Sequence, residues 1–164
     1  MKIVSLALML AWSAAAQATP DGDKWTYLQN EGAGRGLCLD IINDGANDRL
    51  HMAACGGYTG QHWMLTRGDV PGYVKLHTEF TSERRCLDVV NDGKNDRVQM
   101  DACAKVSGQQ WKVTTVPGDQ RYIQLTNQFT GSSRCLEVAP DGLRLRSCGD
   151  FSGQRWRSDE WPMM

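Results

Sequence analysis

The stretch Cys38–Trp63, CLDIINDGANDRLHMAACGGYTGQHW, returns 48 residues later as CLDVVNDGKNDRVQMDACAKVSGQQW (Cys86–Trp111) and once more, shortened, as CLEVAPDGLRLRSCGDFSGQRW (Cys135–Trp156). The repetition extends upstream. WTYL (Trp25–Leu28), YVKL (Tyr73–Leu76) and YIQL (Tyr122–Leu125) each begin 13 residues before a cysteine. A unit is therefore about 48 residues long. Three copies of one supersecondary unit mean that a single copy cannot cover its own apolar face and that stacking on the other two completes the core. The pattern predicts one threefold pseudosymmetric domain.

Within a unit, Leu39 and Ile41 alternate with Cys38 and Asp40, and Leu50, Met52 and Ala54 alternate with His51, Ala53 and Cys55. A period of two marks half-buried strands. Between them lies Asp44-Gly45, repeated as Asp92-Gly93 and Asp141-Gly142, a dipeptide suited to the positive backbone angles of tight turns. Each unit thus contains a hairpin. No long 3.6-residue periodicity with helix caps follows the first residues, so the fold class is all-β.

The repeat also selects one pairing of the six cysteines: Cys38–Cys55, Cys86–Cys103 and Cys135–Cys148. In the simplest register the two cysteines of a unit face each other on the outward side of the hairpin. Closing such loops contributes about 3 kcal/mol each in the chain-entropy account. A tryptophan stands eight residues beyond each second cysteine, so Trp63, Trp111 and Trp156 are read as core residues around the pseudo-axis. The glutamines Gln61, Gln109 and Gln154 before them are expected to bond backbone groups that the hairpins leave open.

Residues 1–18 carry one charge, Lys2, an apolar run from Ile3 to Ala16 and a small-residue pattern, Ala16-Gln17-Ala18. They read as a cleaved secretory signal peptide, leaving residues 19–164 as one exported domain. Export permits the disulfides. The formal net charge of −1 becomes −2 once Lys2 is removed, which is not the charge of a nucleic-acid binder. The apolar run is shorter than the roughly 20 residues of a bilayer span, so no membrane span is expected.

CLD[IV] or CLEV, then a second cysteine, then Gln-x-Trp, in three tandem copies from Trp25 to Trp156, resembles the ricin B-type lectin domain. The resemblance implies a β-trefoil, a six-stranded barrel capped by three hairpins. It also implies a carbohydrate site in each repeat that needs no metal or cofactor. In such lectins a carboxylate on the first hairpin strand accepts hydrogen bonds from sugar hydroxyls, and an aromatic ring on the second packs on the sugar's C–H face. A neighbouring glutamine and an Asn-Gln pair complete the site. A pyranose, with one apolar face and a rim of hydroxyls, suits that combination.

Carried onto this chain, the acids are Asp40, Asp88 and Glu137, the glutamine position holds His51, Gln99 and Arg144, and the aromatic position holds Ala53, Asp101 and Arg146. Gly60, Gly108 and Gly153 stand where the asparagine would be, whereas the second glutamine persists throughout as Gln61, Gln109 and Gln154. The simplest register sets Asp40 against Ala53, Asp88 against Asp101 and Glu137 against Arg146. The third copy then reads as a salt bridge rather than a site. The second sets two like charges face to face, which calls either for a cation or ligand hydroxyls or for plain solvent exposure. In the first, Tyr58 reads either as a substitute wall beside Asp40 and His51 or as a packing position shared with Val106 and Phe151.

No nucleophile elbow, zinc-binding helix motif or phosphate loop occurs, so no enzyme is expected. Two functions remain. One is a secreted lectin whose partner is a glycan of galactose or xylan type, free or as the targeting module of a noncovalent assembly. The other is a disulfide-stapled trefoil with decayed sugar sites that binds another protein, as a toxin subunit or an inhibitor.

Overall fold

A computed structural model describes residues 24–158. The leader at 1–18 and the tail from Trp161 to Met164 lie outside the described residues. The chain is a β-trefoil, built from three successive four-stranded units. The first comprises β1 (Thr26–Asn30), β2 (Leu37–Ile41), β3 (Leu50–Ala54) and β4 (His62–Arg67). The second comprises β5 (Val74–Thr78), β6 (Arg85–Val89), β7 (Val98–Ala102) and β8 (Trp111–Val116). The third comprises β9 (Asp119–Asn127), β10 (Gly131–Ala139), β11 (Gly142–Ser147) and β12 (Trp156–Ser158).

The outer strands of each unit pair in the ring β1–β4–β5–β8–β9–β12 and back to β1, all antiparallel. That closed ring leaves no barrel edge unpaired. The inner strands form three hairpins, β2–β3, β6–β7 and β10–β11, which cap one end. A three-residue 3-10 turn, at Thr59–Gln61, Ser107–Gln109 and Ser152–Gln154, leads from each hairpin back to the barrel.

Trp63, Trp111 and Trp156 are fully buried in one cluster with Leu28, Leu76 and Leu125 of the first strands and Leu39, Leu87 and Leu136 of the hairpins. Each indole donates its Nε1–H to the carbonyl of the hairpin leucine, at 2.8 Å to Leu39 and Leu87 and 2.9 Å to Leu136. The indole therefore supplies core area and also ties each barrel strand to its cap, with its single polar atom satisfied.

The three disulfides join Cys38–Cys55, Cys86–Cys103 and Cys135–Cys148, each with a Cα–Cα separation of 5.0 Å. The hairpin register corrects the simplest expectation by two residues. Cys38 lies opposite Ala53, Cys86 opposite Asp101 and Cys135 opposite Arg146. The second cysteine falls just past its strand, its N–H bonded to Gly36, Arg84 or Ser133, so each bridge runs diagonally. The first cysteines are fully buried rather than outward-facing.

In the first two units the turn is closed by its own side chains. Asp44 Oδ1 accepts the N–H groups of Ala46 and Asn47, Asn47 Oδ1 accepts that of Gly45, and Arg49 closes the loop on Asp44 Oδ2. Asp92, Asn95 and Arg97 repeat the arrangement. Asn47 and Asn95 both sit at φ 54°, a left-handed position that asparagine tolerates. The self-closed turn fixes which residues face each other along the rest of the hairpin.

Candidate functional site

The register decides what each carboxylate meets. Across the strands Asp40 faces His51, Asp88 faces Gln99 and Glu137 faces Arg144, which replaces the expected partners Ala53, Asp101 and Arg146. Behind each acid stands the repeated glutamine, fully or almost fully buried. Gln61 Oε1 accepts the Gly56 N–H at 2.8 Å, while its Nε2 donates to Ala54 O at 2.9 Å and to Asp40 Oδ2 at 3.0 Å. Gln109 does the same with Ala104, Ala102 and Asp88, and Gln154 with Gly149, Ser147 and Glu137. The backbone bonds were expected from sequence; the carboxylate bond was not. Gln61 and Gln109 position the acids from within and do not themselves reach the surface.

The glycine before each glutamine now has a physical reason. A Cβ at residue 60 would lie 2.5 Å from Asp40 Oδ1, and one at residue 108 would crowd Asp88 Oδ1 more closely still. At residue 153 the obstruction is Val138 O at 2.5 Å. In the first two repeats the carboxylate is folded against the 3-10 turn, in space that a side chain would otherwise take.

The three acids differ in what surrounds them. In the first repeat His51 Nε2 stands 4.0 Å from Asp40 Oδ2, and Tyr58 is 65% exposed. The Tyr58 ring lies over Gly56, where a Cβ would meet it at 2.7 Å. Phe151 lies likewise over Gly149 and is 58% exposed, whereas the middle repeat has Ala104 and Val106, the valine 44% exposed. All three positions are exposed, with Tyr58 and Phe151 each resting over a glycine.

In the second repeat Asp88 is only 9% exposed. Burial raises its pKa above the ordinary aspartate value, the Gln109 bond opposes the rise, and the charge of Asp101 adds to it. Asp101 is thus a minor neighbour rather than the facing partner; Gln99 Nε2 lies 3.4 Å from its Oδ2. In the third repeat Arg146 reaches Glu137 Oε1 diagonally at 3.6 Å, and Arg144, the residue opposite, pairs with Asp141 at 2.7 Å. A guanidinium therefore covers the third acid as expected, though from a different register position.

Among the described residues His77, Cys86 and Cys103 form the one cluster with metal-ligand atoms close together, but both sulfurs are in a disulfide and are not thiolate ligands. His77 is buried with Nδ1 3.6 Å from both sulfurs and Nε2 2.7 Å from Thr66 Oγ1. Burial holds its pKa below that of an ordinary histidine. No helix among the described residues is long and apolar enough to cross a membrane.

The sequence pattern of the ricin-type beta-trefoil lectin domain matches residues 24–156. No curated protein matches the chain by sequence. Among solved structures, the designed threefold-symmetric protein ThreeFoil superposes with a TM-score of 0.69 at 25% identity, over 83% of this chain and 98% of that one. The Macrolepiota procera ricin B-like lectin in complex with lactose superposes with a TM-score of 0.67 at 14% identity, over 87% and 99% of the two chains. An exo-β-1,3-galactanase from Clostridium thermocellum gives 0.68 at 24% identity, over 87% of this chain but 31% of the enzyme.

Proposed function

The chain belongs to the ricin-type β-trefoil lectin family, and from that premise we propose that it is an exported, non-catalytic lectin that holds a sugar first at Asp40 and second at Asp88. The observation that carries this reading is the combination found in the first repeat. A carboxylate fixed from behind by Gln61 keeps Oδ1 clear of that bond, and the same repeat carries an exposed ring, Tyr58. Asp40 accepts two sugar hydroxyls, His51 offers a further polar contact across the strand, and Tyr58 takes over the flat wall that Ala53 lacks. In the second repeat Asp88 with Gln99 and Asp101 supplies acceptors without a ring. In the third, Arg146 occupies the acceptor.

Titration of the protein lacking residues 1–18 with lactose and with xylo-oligosaccharides tests the proposal. Lactose comes first because the Macrolepiota neighbour carries it. The expected result is saturable binding that Asp40→Ala abolishes and that Tyr58→Ala weakens about two- to tenfold, the worth of one stacking contact. Binding untouched by either substitution removes the site.

A second reading has its own observation. The ring position of the family holds no aromatic in any repeat, while Tyr58, Val106 and Phe151 expose apolar area after each second cysteine. Such a chain would serve as a rigid scaffold presenting these loops to another protein. Silence across neutral glycans, with capture of one partner lost on Tyr58→Ala and Phe151→Ala together, would favour it.

A further inference from the structure

The hairpin turn of one repeat docks on the start of the next hairpin through an arginine. Arg85 Nη1 lies 3.4 Å from Asn47 O and 3.3 Å from Met100 O, and Arg134 Nη1 lies 3.2 and 3.0 Å from Lys94 O and Asn95 O. Beside the first of these joints opens a cleft of about 380 Å³ lined by Asn47, Phe80, Thr81, Arg84 and Arg85. None of these residues is an acid.

Arg84 is exposed and its side chain has no partner among the described residues. Arg49, Arg97, Arg121, Arg144, Arg146 and Arg155 all pair with carboxylates, whereas Arg35, Arg67 and Arg84 do not among the described residues, and of these three only Arg84 lines the cleft. Within the same loop Glu79 is held by His62 at 2.6 Å, and Glu83 does not line the cleft. Arg85 spends Nη1 on backbone carbonyls, which holds its plane in place while leaving other N–H donors of the guanidinium for a ligand. Phe80, partly exposed, adds an apolar wall, and Asn47 adds a polar rim.

We propose that this inter-repeat cleft binds an acidic saccharide, with Arg84 and Arg85 taking its carboxylate or sulfate and Phe80 packing on the sugar ring. Guanidinium forks match such oxyanions in shape as well as charge. The site is separate from Asp40, which does not line it. The sequence holds an internal control. The next joint repeats Asn95, Phe129, Thr130 and Arg134 but has Ser133 where Arg84 stands, and the third hairpin has a turn too short to carry a counterpart of Asn47. The acidic ligand is therefore assigned to one cleft out of three possible joints.

The test is calorimetric titration of the protein lacking residues 1–18 with a glucuronate-containing disaccharide, a sulfated disaccharide, lactose and inorganic sulfate. At least one acidic disaccharide is expected to bind, with affinity falling as salt rises and dropping about tenfold or more in Arg84→Ser, the loss of one charge-assisted contact. Asp40→Ala should leave that binding unchanged, which separates this cleft from the neutral-sugar site; the better of the two disaccharides identifies the oxyanion. Equal affinity in wild type and Arg84→Ser, sulfate binding as tightly as the disaccharides, or no binding of either disaccharide would each overturn the proposal. Arg84 is exposed, so its replacement is not expected to disturb folding.

Discussion

The amide nitrogen of Gln61 lies 3.0 Å from Asp40 Oδ2, so a buried core glutamine holds the aim of a half-buried carboxylate. The same amide satisfies the Gly56 N–H and the Ala54 carbonyl. Gln61→Leu should therefore destabilise the fold by about 2–4 kcal/mol, since an orphaned buried donor or acceptor costs about 1–3 kcal/mol. Urea unfolding of the variant checks this; a loss within 0.5 kcal/mol, roughly the scatter of neutral surface changes, would mean that solvent replaces the clamp.

Gly108→Ala should drive the Asp88 carboxylate off the 3-10 turn, because the added Cβ lands on Oδ1. Overpacking of this kind costs about 1–3 kcal/mol. The displaced carboxylate regains water, so its pKa should fall back toward the ordinary aspartate value. Carboxyl-detected NMR titration reads the shift directly.

Asp88→Asn should stabilise the protein at neutral pH. The folded-state pKa of Asp88 is raised, mainly by burial, so the folded protein binds its proton more tightly than the unfolded chain does. Wild-type stability from this group is thus lowest above the raised pKa and recovers as the pH falls toward the unfolded value. The advantage of the asparagine should shrink over that same interval. Denaturation midpoints measured between pH 7 and 4 compare the two curves, and parallel curves would refute the assignment.

His77→Gln places in the second repeat the residue that occupies the matching position of the first, where Gln29 Nε2 lies 3.4 Å from Cys55 Sγ. Burial lowers the folded pKa of His77 below 6.5, so the unfolded chain takes up a proton that the folded protein refuses. Stability should fall as pH drops below the unfolded value. The substitution should remove that part of the slope, as read from urea midpoints between pH 8 and 5.

Asp92 has a folded pKa of about 2, set first by the Asn95 N–H and then by Arg97. Its stabilising effect should be complete above the ordinary value of 3.8 and disappear as the pH falls through about 2. In Arg97→Ala the carboxyl should titrate at a higher pH than in wild type, and the turn should loosen, seen as faster exchange of the Lys94 and Asn95 amides. An unchanged titration would place the whole effect in the backbone bonds.

Much of the fold was legible because each unit repeats the same local constraints. Alternating apolar positions, the Asp-Gly turns, the cysteine spacing and the recurring Trp63, Trp111 and Trp156 all describe one hairpin-bearing unit that buries nothing well alone. Three copies then imply a shared interior, and the ring of six paired strands supplies it. The site was legible in its residue types, with acids at Asp40, Asp88 and Glu137, but not in its pairings. Placing the cysteines face to face moved every cross-strand partner by two positions, because each bridge runs diagonally from a strand residue to a cysteine just past the partner strand.

By itself the sequence determined the threefold all-β plan, the disulfide partners and the buried tryptophans, since periodicity and spacing act along the chain. Only the tertiary structure decided that Gln61 and Gln109 face inward to grip the acids, that Tyr58 is exposed, that Arg146 reaches Glu137 diagonally, and that a cleft opens where Arg84 meets the preceding repeat's turn. Those outcomes depend on the direction of each side chain and on the approach of residues far apart in the chain. Twist, register and the docking of one unit on the next set both.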